Sequence, residues 1–145
     1  VVNENWSLSA RGVYKAIKSS HSHLSKKSSR DCFRALEKNS RRRKKEFRMD
    51  KISFVEWYDS QEKACTYCGI PQEYLKGPWK RMNVHRLSVD RKNNEQGYVI
   101  ENICLACSIC NVLKNNILSF EEMREVGREY IAPKWKKLFA DGELW

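Results

Sequence analysis

The chain has 145 residues and a net charge of +10, from 28 Lys and Arg against 18 Asp and Glu. No apolar run approaches the roughly 20 residues a membrane-spanning helix needs, and the start at Val1-Val2-Asn3-Glu4-Asn5-Trp6 has no basic-then-apolar leader. The expectation is an intracellular protein without a membrane partner, whose excess charge sits in residues 1–48, with 14 basic and 4 acidic residues there.

Residues 1–27 are Ser-rich and weakly patterned, and His21 and His23 within them are expected to be exposed. Ser28 and Ser29 are N-cap residue types for a helix running to about Phe47, with Cys32, Phe33 and Leu36 on one side. The run Arg41-Arg42-Arg43-Lys44-Lys45 cannot be a buried face. Residues 1–48 therefore read as a basic, largely helical extension whose cations suit a polyanion, with 49–145 as the folded domain. A solvated arm is the alternative for the same charge run.

Ser53-Phe54-Val55-Glu56 has the form of a capping box, with Phe54, Trp57, Tyr58 and Gln61 following at helical spacing. Cys65-Thr66-Tyr67-Cys68-Gly69 is a tight knuckle, and Pro71 to Asn83 is a loop broken at Gly77-Pro78. His85 to Asp90 alternates like a strand, with Leu87 and Val89 on one face and Ser88 and Asp90 on the other. Arg91 to Gly97 is a polar loop, and Tyr98 to Leu105 returns as a second strand.

A helix is expected from about Cys107 past Lys114. Ser119-Phe120-Glu121-Glu122 opens another, with Phe120, Met123, Val126 and Tyr130 inward. Pro133 restarts the chain into a short segment, Lys134 to Leu138, and Trp145 packs back. The expected class is α+β: two short strands and a helix, with flanking helices.

Four of the six cysteines form two C-x-x-C pairs, Cys65/Cys68 and Cys107/Cys110. Without a secretory leader, two such knuckles read as a closed tetrahedral zinc site, one zinc per chain, rather than a disulfide framework. Cys32 and Cys104 read as small buried hydrophobes.

The stretch Asp90-Arg91, Gly97-Tyr98, Asn102, Cys107-x-x-Cys110-Asn111 and Lys114, preceded by the first knuckle, resembles the HNH (ββα-metal) nuclease family. Its Asp-Arg variant looks like phage and intron HNH homing endonucleases and rare-cutting restriction endonucleases of the PacI type. The resemblance runs from about Phe54 to Met123. It implies a zinc-stapled ββα-metal core that hydrolyses phosphodiester bonds in double-stranded DNA, in a cytoplasmic, bacterial or phage-encoded protein.

The residues are suited to that chemistry. Asp90 and Asn111 offer hard oxygens, appropriate to a catalytic Mg²⁺ or Mn²⁺ and poor for zinc. Asn102 is expected to tie the loop between the strands and so support the site. Lys114 and the run Arg41 to Lys45 are candidates for phosphate contacts.

In the commonest family form the residue after the Asp is a His that serves as general base. Arg91 cannot accept a proton at neutral pH and is better suited to clamping phosphate. Tyr67 is the first candidate for the missing base, since a nearby cation favours its phenolate, and His85 is the second. A homodimer is one expected assembly. The competing readings are a zinc-knuckle DNA-binding module whose nuclease site has decayed, an HNH domain of a larger defence or mobile-element protein, and an RNA-directed protein.

Overall fold

Two cores, each assembled from separated stretches of chain, organise the protein. The computed structural model describes residues 28–75 and 86–140. They cluster into a unit formed by 28–62 with 89–104 and a second formed by 63–75 and 86–88 with 105–140.

The first unit has an aromatic core. Helix α1, Ser29–Arg42, starts at a reciprocal cap in which Ser28 Oγ accepts from the Asp31 amide and the Asp31 carboxylate accepts from the Ser28 amide. It buries Phe33, and Arg41 and Arg42 lie in its last turn, where cations complement the helix dipole. The helix stops before the expected Phe47. Lys44 adopts φ 53° and the Lys45 amide returns to the Ser40 carbonyl at 2.9 Å. That turn leaves Phe47 extended and able to bridge to Tyr98.

Helix α2, Lys51–Ser60, is capped by Asp50 and not by Ser53. Asp50 accepts from the Ser53 amide at 2.9 Å and from the Ser53 hydroxyl at 2.6 Å. A carboxylate is the stronger acceptor at a helix start, which moves the start upstream of the expected box. Phe54 is wholly buried, with the rings of Phe33, Trp57 and Tyr58 at 5.5, 5.6 and 5.8 Å. Such ring pairs add about 0.5–1.5 kcal/mol each beyond the area they bury. At the unit's edge the Tyr98 amide donates to the Glu46 carbonyl at 2.8 Å. Gly97 permits this approach, because a Cβ there would sit 2.6 Å from Glu46 Cβ.

Strands β1, Ser88–Arg91, and β2, Ile103–Ala106, form a two-stranded sheet. Ser88 meets Ala106 and Lys92 meets Asn102, so the strands run antiparallel. The second strand starts later than expected, because Tyr98 is used in the bridge to Phe47 and Ile100–Asn102 form a 3₁₀ turn.

In the second unit, residues 63–72 fold back on themselves. The Gln72 amide reaches the Lys63 carbonyl at 2.8 Å and the Cys65 amide the Ile70 carbonyl at 2.9 Å, with Gly69 at φ 74° making the turn. Helix α3, Ser108–Lys114, has Cys107 as its N-cap and ends where Asn115 takes φ 44°. Helix α4, Phe120–Val126, has the expected Ser119/Glu122 capping box. Met123 is buried as expected, but Tyr130 is 65% exposed.

The reason is a π-helical turn over Gly127–Ile131, which widens the helix by one residue and rotates Tyr130 out of the inward stripe. Pro133 does not restart the chain. It lies inside helix α5, Ala132–Ala140, directly after the π turn, whose last bond runs from the Ala132 amide to the Gly127 carbonyl. The wider turn accommodates a residue with no N–H to give and a ring in the way of the preceding turn. Trp145 lies outside the described residues. Among the described residues no helix is long and apolar enough to cross a membrane.

Candidate metal centre and active site

The two knuckles converge within the second unit. Cys65, Cys68, Cys107 and Cys110 are all buried, and their sulfurs lie within 4.8 Å of one another. Cys68 Sγ and Cys107 Sγ are 3.8 Å apart, and all four cysteines are free of disulfides. A tetrahedral ion with metal–sulfur bonds of roughly 2.3 Å requires sulfurs about 3.8 Å apart. The cluster fits a zinc ion.

As thiols, Cys65, Cys68 and Cys110 compete for protons. Hydrogen bonding to Cys107 pushes the Cys68 and Cys110 thiols up, while the same partner draws Cys65 down. A bound dication removes that competition by favouring the thiolate at every position. Backbone geometry supports the arrangement, since the Cys110 amide faces Cys107 Sγ at 3.5 Å and the Thr66 amide bonds the Leu105 carbonyl at 2.8 Å.

The residue after the last cysteine, Asn111, is half-buried in the first turns of α3. Its Nδ2 donates to Ser88 Oγ at 3.0 Å, and Ser88 Oγ donates to the Ala106 carbonyl at 3.1 Å. Tyr67, between the cysteines of the first knuckle, is 4% exposed, with its ring edge-on to Phe120 at 5.7 Å. Gly127 presses on the same residue: a Cβ there would lie 2.5 Å from the Tyr67 carbonyl oxygen.

Lys114 departs from the expectation of a phosphate-facing side chain: it is fully buried. A seven-residue helix has little exposed surface to offer a residue on its inward side, and the position one turn after Cys110 lies there.

In the first unit, Asp90 is half-buried on β1, followed by Arg91 at the strand end. Arg91 Nη1 donates to the carbonyls of Asn94 and Gln96 at 3.1 and 3.0 Å, and its guanidinium lies over the Tyr98 ring at 5.4 Å. Asn102 is buried and clasps the same loop. It accepts from the Asn93 amide at 2.8 Å and donates to the carbonyls of Asn93 and Gly97 at 3.1 and 3.0 Å. Asp90, Arg91 and Asn102 thus share one unit, while the four cysteines, Asn111, Tyr67 and Lys114 share the other.

Arg41, Arg42, Arg43, Lys44 and Lys45 are all exposed at the end of α1. His85, His21 and His23 lie outside the described residues. Sequence reasoning missed two contributors. Ser88 was visible only as the alternate residue on the Asp90 face of its strand, and Gly127 only as a glycine inside a helical pattern.

No protein-family model matches the sequence, and no curated protein matches it. Among solved structures the chain is similar to the rare-cutting HNH restriction endonuclease PacI, described for the way it perturbs DNA, with 28% identity and a TM-score of 0.66. The similarity covers 79% of this chain and 87% of PacI. Strands β1 and β2, helix α3 and a buried four-cysteine cluster at the start of that helix give this chain the ββα-metal fold of HNH endonucleases.

Proposed function

We propose that the chain is a metal-dependent DNA endonuclease of the HNH type. The observation that carries this reading is the similarity to PacI over most of both chains, combined with sulfur spacing suited to zinc. In this reading zinc is structural. Asp90 and Asn111 would hold one Mg²⁺ or Mn²⁺, which would supply charge stabilisation for the phosphate and the leaving oxygen.

The chain's own residues do the rest. The oxygen of a water molecule bonds to phosphorus, the bond to the 3′ oxygen breaks, and the water's proton passes to a base. Tyr67 is the first candidate for that base because the knuckle and Phe120 hold its ring in place; His85 is the second. Arg91 clamps a phosphate oxygen, supported by the Asn102-tied loop. Arg41 to Lys45 neutralise backbone phosphates of double-stranded DNA. The cut is directed to a sequence in an intracellular setting, by a homodimer that breaks both strands or by a monomer that nicks one.

A plasmid assay tests the reading. Supercoiled DNA with Mg²⁺ or Mn²⁺ is expected to be nicked or linearised, and Asp90→Ala should slow this by about 10²-fold or more with zinc content unchanged. A second reading has one observation in its favour: Arg91 is already engaged with the Asn94 and Gln96 carbonyls, as it would be in a DNA-binding module with a decayed site. Equal inertness of both proteins, with both still shifting DNA in a gel, would establish that module and end the enzyme reading.

A further inference from the structure

We infer that Ser88 is a positioning residue that decides which face of the Asn111 amide meets the catalytic cation; this rests on the nuclease reading above. The proton positions along a short chain of atoms inside the second unit fix that choice. The Ala106 carbonyl has no hydrogen to give, so the Ser88 hydroxyl, 3.1 Å away, donates its one proton there. What Ser88 Oγ has left is lone pairs, and these are 3.0 Å from the Asn111 side chain.

A lone pair accepts only from the amide nitrogen, so Nδ2 is held toward Ser88 and Oδ1 is turned the other way. Among the described residues Oδ1 has no hydrogen-bond partner. A carboxamide presents either end with nearly the same shape, and only the oxygen binds a hard cation. Ser88 thereby selects the ligating orientation before any metal arrives. The strand supplies the selector and the zinc-side helix supplies the ligand.

The test uses the full chain and two readouts besides cleavage. In the metal-free catalytic site of the zinc-loaded protein, one proton of the Asn111 side-chain amide should exchange with solvent more slowly than its geminal partner in NMR spectra. In Mn²⁺ titrations followed by EPR, Ser88→Ala should weaken binding about 10-fold, the scale of outer-shell ligand contacts, at unchanged zinc stoichiometry. Ser88→Thr, which retains the hydroxyl, should bind within about twofold of wild type. In an Asn111→Ala background, Ser88→Ala should add nothing, because its effect acts through that amide.

Unaltered Mn²⁺ binding in Ser88→Ala, alongside weakened binding in Asn111→Ala, overturns the role of Ser88 and spares the metal reading. Unaltered binding in Asn111→Ala overturns the metal reading and this inference with it. If Ser88→Ala fails to fold, the wild-type amide exchange and the Ser88→Thr titration still decide: equal exchange of the two protons, or loss of binding with threonine, counts against Ser88.

Discussion

The two units reach order by different means. Residues 28–62 and 89–104 pack aromatic rings around Phe54, whereas 63–75, 86–88 and 105–140 combine a small apolar core with four sulfurs arranged for one cation. Apolar packing is distributed, so each ring removed costs a share. A tetrahedral metal site is concentrated, so losing the ion removes most of its contribution at once.

The largest effect that sharpens this contrast is zinc removal. Structural zinc contributes on the order of 10 kcal/mol, so strong chelation should abolish hydrogen-exchange protection in residues 105–140 and slow exchange should persist around Phe33 and Phe54. Equal loss in both units would show that the contrast does not exist. Next in size is Phe54→Ala, expected to cost about 3–5 kcal/mol in denaturant unfolding with zinc still bound at one per chain. Zinc release by that variant would tie the two cores together. The smallest pair is Ser28→Ala and Ser119→Ala, one helix cap in each unit, each about 1 kcal/mol. The Ser119 variant should lose stability whether or not the Phe54 core is intact, and strong non-additivity of Ser119→Ala with Phe54→Ala would break the division.

Where a local rule carried the information, the sequence was readable. Two C-x-x-C spacings marked the cysteine cluster, Ser28 and Ser119 marked helix starts through side-chain capping, and Asn102 marked a loop clasp because a carboxamide satisfies donors and acceptors at once. Where tertiary contact decided the outcome, it was not. Helix α1 ends early because Phe47 is drawn to Tyr98, which lies far along the chain. Tyr130 faces solvent and Pro133 sits within a helix because of one π turn that no periodicity announces. Lys114 looked solvent-facing by residue type and is buried. The Ser88–Asn111 link was invisible for the same reason: it joins a strand to a helix across 23 positions.

Both cores are interleaved along the chain, since each begins before the other has ended. A nascent polypeptide leaving the ribosome cannot complete the ring cluster until residues near Tyr98 emerge, nor gather its four sulfurs until Cys110 does. Termination before residue 104 therefore leaves both cores incomplete, and any single cut of the gene into two linear pieces divides at least one of them.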